Sequence, residues 1–114
     1  MTDTTTLLTP AEIAATRSLI GLNADQLSKT LQIGSRTVPR WETGALRISD
    51  SAATAVLDLR AQHDRDLSAA EAKSHGGTKP ITLPRGTAER PASWWVAIAA
   101  RLVDRHPNIE IHWA

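Results

Sequence analysis

The sequence has no cysteine, no phenylalanine and no tyrosine among its 114 residues. Without cysteine, a disulfide framework and a thiolate metal site are both excluded, and the chain suits a reducing compartment. Without Phe or Tyr, the four tryptophans (Trp41, Trp94, Trp95 and Trp113) must supply all large-ring packing. Long apolar runs are missing as well. Nothing approaches the roughly 18 residues of a membrane span, and MTDTTTLLTP has neither the basic start nor the apolar centre of a secretory signal. A cytoplasmic protein with no membrane partner is the expectation. Net charge is only +1, so no global field draws in a polyanion. The four histidines, His63, His75, His106 and His112, are scattered with no metal-ligand spacing. No nucleophile elbow, phosphate loop or catalytic carboxylate pair occurs, so neither an enzyme nor a metal or other cofactor is expected.

What is present is helical punctuation. Residues Met1 to Leu8 are Thr-rich and expected to fray. Thr9-Pro10-Ala11-Glu12 combines an N-cap, a proline at the first helical position and a capping-box glutamate. It predicts a helix to about Ile20, with Gly21 in the left-handed cap position and Ile13, Thr16, Arg17 and Ile20 inward. Asn23 with Gln26 repeats the capping box, and Leu27 and Leu31 mark the buried stripe of a second helix. Gln32-Ile33-Gly34 is a turn. A third helix is expected from about Ser35 to Gly44, with Val38 and Trp41 inward and Arg36, Thr37 and Arg40 outward. Between Arg17 and Ile48 there are five basic residues against two acidic ones, enough local positive charge to permit phosphate contacts.

Beyond a cap cluster at Ser49-Asp50-Ser51, apolar positions Val56, Leu59, His63, Leu67 and Ala70 follow one helical face. A helix from about Asp50 to about Lys73 would be roughly 36 Å long. It is expected to project as a spacer or dimer contact, ending at Gly76-Gly77. The tail then reads strand (Lys79 to Pro84), helix (Pro91 to about Arg105, with Trp95, Ile98, Ala99 and Leu102 inward) and strand (Ile109 to Trp113). So small a unit buries too little to stand alone, which points to pairing with a second copy. His63, Leu67, Trp94, Ile109, Ile111 and Trp113 are the expected dimer contacts.

The stretch GLNADQLSKTLQIGSRTVPRWETG, from Gly21 to Gly44, resembles the helix-turn-helix of Cro/CI-type (XRE-family) regulators. The match runs ungapped through Leu27, Leu31, Thr37-Val38 and the Arg40-Trp41-Glu42-x-Gly44 ending, and with Arg17 it covers about half the chain. The overall layout is similar to the compact two-part repressors found beside anti-CRISPR genes. The resemblance implies a mainly α fold: a lambda-repressor-like helix-turn-helix domain over residues 1–48, a long connecting helix and Gly-Gly linker over 49–77, and a strand–helix–strand (α+β) dimerisation unit over 78–114. It implies a homodimeric, autoregulatory transcriptional repressor of bacterial or phage origin that reads a palindromic operator and sits on the nucleoid when bound. Double-stranded DNA carrying an inverted repeat is the expected partner. The alternative is an antitoxin whose C-terminal part neutralises a toxin protein.

Physical requirements agree on which residues matter. A recognition helix must enter a groove about 12 Å wide and present its N-terminal turn to base edges. Ser35, Arg36, Thr37 and Arg40 are placed for that. Asn23, Ala24, Thr43 and Arg47 flank them, suited to phosphate or minor-groove contact. Arg17 and Glu42 occupy the places of a partly buried ion pair in the family, and an arginine on an apolar face needs such a partner. Three positions depart from the family pattern: Ala24 where glutamine is common, Gln32 where the turn usually has glycine, and Pro39 inside the expected recognition helix. Gly34 is expected to restore the turn's freedom, and Pro39 is tolerable only in a first helical turn.

Overall fold

Capping chemistry and apolar periodicity together produce five helices and two short strands. A computed structural model describes residues 8–114, and places α1 at Pro10–Leu19, α2 at Ala24–Leu31, α3 at Thr37–Thr43, α4 at Asp50–Lys73, β1 at Ile81–Leu83, α5 at Ala92–Arg105 and β2 at Ile111–Trp113. The expected fraying of Met1 to Leu8 lies outside the described residues, except at Leu8, which is buried. The fold is mainly helical with a small two-stranded parallel sheet. No helix among the described residues is long and apolar enough to cross a membrane.

The chain divides into two compact units, one ending at Arg60 and the other spanning Ala61–Ala114. The boundary falls inside α4, so the long connecting helix contributes residues to both units.

In the first unit both capping boxes close. Thr9 Oγ1 accepts from the Glu12 N–H at 3.1 Å while the Glu12 side chain accepts from the Thr9 N–H at 2.9 Å. Asn23 and Gln26 do the same at 2.7 and 2.8 Å. Each box satisfies two N–H groups that a helix start would leave open. α1 and α2 both pack on α3. Their inward residues Ile13, Ile20, Leu22, Leu27, Val38 and Trp41 are buried, joined by Ile48, Ala53 and Val56. Fully burying a side chain of this size contributes about 1.5–3 kcal/mol. A charge at Val38, which has no exposed surface, would undo the unit.

In the second unit the latter half of α4 supplies a wall. His63, Leu67 and Ala70 are enclosed together with Ile81, Leu83, Trp94, Ile98 and Leu102. This corrects three expected dimer contacts: His63, Leu67 and Trp94 are 0%, 1% and 0% exposed within their own protomer and offer no surface to a second copy. It also corrects the register of α5, whose inner face is Trp94, Ile98 and Leu102 while Trp95 lies at the margin. The reason is that two arginines of α5 turn to acids on α4, Arg101 from a largely covered position and Arg105 from an exposed one. Arg101 reaches Asp64 at 2.7 Å and Arg105 reaches Glu71 at 2.8 Å, and Glu71 also holds His106 at 2.8 Å. Charged heads on long apolar stems obscure a buried face in sequence. Asp64 and Glu71 on α4 are therefore engaged.

β1 and β2 run parallel, with Ile81 opposite Ile111 and Leu83 opposite Trp113. Parallel neighbours need a crossover, and α5 supplies it. Each strand is three residues long, shorter than expected. Only the β1 members of these pairs are enclosed: Ile109 and Ile111 are half-buried and Trp113 is 38% exposed. After α4 the chain turns through Gly76 and Gly77, both at positive φ. A Cβ at Gly77 would stand 2.6 Å from His106 Cβ, so the turn needs glycine for space as well as conformation.

Candidate nucleic-acid interface

Two helices and one tight turn place the residues of interest. α2 ends at Gln32, which itself takes the left-handed conformation at φ 58° and ψ 46°. Its N–H donates to the Lys29 carbonyl at 3.1 Å, and the Ile33 N–H donates to Ser28 O at 3.0 Å. Gly34 has no positive φ, which corrects the expectation that it would relieve the turn. Gln32 bears the strain instead.

α3 begins late. Arg36 is its N-cap, at φ −88° and ψ −12° with no side-chain cap, and Ser35 precedes the helix. Thr37 is the first helical residue, so Pro39 is the third. A proline there lacks an N–H that would have no intrahelical acceptor in any case. The helix ends at Gly44, at φ 82°, after seven residues. Val38 and Trp41 lock its back into the core at 0% and 4% exposure.

The opposite side is open. Ser35, Arg36, Pro39 and Arg40 are exposed, and Thr37 is half-buried. Arg36 and Arg40 are four residues apart, the spacing that sets two side chains on one helical edge. Neither guanidinium has a side-chain partner among the described residues.

The flanking residues are less available than the sequence suggests. Both the N–H and the side-chain oxygen of Asn23 are committed to its capping box, leaving the Ala24 and Asp25 N–H groups as the open backbone donors of that first turn among the described residues. Thr43 Oγ1 donates to Arg40 O at 3.3 Å and accepts from the Ala45 N–H at 3.4 Å. Arg47 is exposed but has an interaction of its own.

Behind this surface sits a fork. Arg17 Nε donates to Glu42 Oε2 at 2.6 Å and Nη2 to Oε1 at 2.9 Å, while Nη1 donates to the Leu22 carbonyl at 3.2 Å. Donating to the Glu42 carboxylate raises the Arg17 pKa above the usual guanidinium value. One side chain on α1 thus ties the α1–α2 junction to the last turn of α3. The Leu22 carbonyl was not legible as a third partner, because a backbone acceptor leaves no mark on residue identity.

The second unit holds a polar cluster that sequence reasoning missed. His63 Nδ1 faces Arg101 Nη1 at 2.9 Å and Nε2 faces the Trp94 carbonyl at 3.2 Å. A guanidinium only donates, so Nδ1 accepts and Nε2 carries the proton. Burial is the main cause holding the His63 pKa below its usual value, with the Arg101 charge adding to it. Trp94 meets the imidazole edge-on at 4.6 Å, gives its indole N–H to Asp66 at 2.9 Å and lies under the Arg90 guanidinium at 4.5 Å. Among the described residues no group of three or more His, Asp or Glu could hold a metal ion.

No protein-family model matches the chain, and no curated protein matches it.

Proposed function

We propose that the chain is a homodimeric, sequence-specific DNA-binding repressor of the Cro/CI type, with α2, its turn and α3 forming the helix-turn-helix. The observation that carries this reading is the two-sidedness of α3. Its back is fastened by Val38, Trp41 and the Glu42–Arg17 fork, while the Ser35, Arg36 and Arg40 side chains have no partner among the described residues along its front. Two solvated arginines on one edge of a held helix leave both guanidinium groups available to an anionic partner. On DNA each can take guanine O6 and N7 together from the major groove. Thr37 suits a thymine methyl or a phosphate. The Ala24 N–H at the start of α2 suits a phosphate, and Thr43 and Arg47 lie beyond the reading helix where the backbone passes.

One such surface covers too little DNA for useful selectivity, whereas a two-fold pair reads half-sites about one helical turn apart. Selecting bound fragments from random DNA and aligning them tests this directly, with an inverted repeat as the expected result. Against that operator Arg36→Ala should lose about 1–3 kcal/mol and relax preference at one base pair. Full affinity in the Arg36→Ala, Arg40→Ala double variant, or no DNA binding even at low salt, would overturn the reading.

A further inference from the structure

α5 is uncharged from Ala92 to Ala100, yet only one side of it is covered. Trp94, Ile98 and Leu102 are enclosed, whereas Val96 and Val103 are 53% and 48% exposed and Ala92 and Ala100 lie open beside them. A helix that is apolar around its whole circumference is normally covered all round. At the N-terminal end of this stripe, Arg85 and the half-open ring of Trp113 close a shallow hollow with Ala92 and Val96, about 210 Å³ in volume. Charge is confined to the ends. Arg85 Nε donates to the Ala114 carbonyl at 2.8 Å, and its two terminal nitrogens have no partner among the described residues. Asp104, immediately after Val103, is exposed and likewise unpartnered among them.

We infer that this face binds a second copy of the chain, about a two-fold axis passing close to Ala99 and Ala100. The inference rests on the homodimeric reading above and assigns its surface. A second copy is favoured because the stripe complements itself when reversed, which an isologous contact requires. Two α5 helices running antiparallel set Val96 against the partner's Val103. The small side chains of Ala99 and Ala100 at the crossing let the backbones come close. The same reversal carries the Asp104 carboxylate toward the partner's Arg85. A helix stripe alone falls short of the roughly 800 Å² per partner of a stable dimer. Trp113 and the outer edge of β2, which has no ladder partner in the two-stranded sheet, extend it.

The test is sedimentation equilibrium on the full chain without DNA, so its outcome is independent of whether DNA is read. The wild type should be a dimer. Val96→Glu and Val103→Glu, at exposed positions that leave the core intact, should each weaken self-association about tenfold or more, because like charges then meet in an apolar contact. Arg85→Glu should weaken it too, and Arg85→Glu with Asp104→Arg should restore it. Circular dichroism verifies that each variant is folded. A monomeric wild type, or a dimer indifferent to both glutamates, overturns the assignment. If the glutamate variants stay dimeric while Arg36→Ala abolishes DNA binding, only the surface is wrong and the repressor reading stands.

Discussion

Replacing Arg17 by alanine should unfold the first unit at a markedly lower temperature. The perturbation strands Glu42, whose side chain is 16% exposed, against 23% for Arg17. Both carboxylate oxygens lose a guanidinium donor, and the Leu22 carbonyl loses its Arg17 donor. Removing one member of a fully buried pair costs about 3–5 kcal/mol, whereas a solvent-exposed pair is worth about 0–1 kcal/mol. With about four-fifths of each side chain covered, a loss of about 2–3 kcal/mol is expected between those limits. For a unit of this size each kcal/mol moves Tm by about 4–8 °C, which gives a drop of about 8–24 °C. The assay is thermal unfolding followed by circular dichroism. Two further variants locate the cause. Glu42→Gln keeps the shape and one acceptor, and should lose less. Arg17→Met with Glu42→Leu leaves no stranded charge and should recover much of the loss. A wild-type Tm for Arg17→Ala would refute a structural role for the pair. A double variant no better than Arg17→Ala would refute the stranded charge as the cause.

The turn before α3 makes an opposed pair of predictions. Gln32→Gly should stabilise by about 0.5–1 kcal/mol, because it removes left-handed strain, while Gly34→Ala should be tolerated, its new Cβ meeting only Thr37 Oγ1 at 3.7 Å; urea denaturation of both variants measures this. His63 predicts an acid-sensitive second unit. Its folded-state pKa lies below the unfolded value near 6.5, so the unfolded chain binds the proton first and stability falls as pH drops through 6.5 toward the folded value. A Tm profile between about pH 8 and pH 5 should show this, and His63→Gln should flatten it.

Much of the architecture was legible because local chemistry and tertiary outcome agree. The two capping boxes, the Gly21 and Gly44 stops and the long α4 could be read directly, since each depends on a few neighbouring residues. So could the inward face of α4, where a buried histidine keeps apolar spacing. The misread parts share a different cause. The α5 register was hidden because Arg101 and Arg105 pair with acids on α4, more than thirty positions away. Which strand of the parallel pair meets the core was not legible either, because alternation alone does not distinguish the two. On the proposed reading surface, the exposure of Arg36 and Arg40 was legible from spacing. The commitment of Asn23 and Thr43 to local hydrogen bonds was not, because a side chain suited to phosphate is equally suited to a cap.

The tryptophan-only aromatic content gives the molecule an optical property as well as a packing one. Trp41 is the sole indole of the first unit, and the other three belong to the second. With no tyrosine to blur the signal, emission divides along the same line as the fold. Within the second unit Trp94 lies edge-on to His63 at 4.6 Å, so its brightness should report the protonation of the imidazole beside it. The chain therefore carries an intrinsic probe in each half, and the binding of DNA and the association of copies could be watched separately without a label.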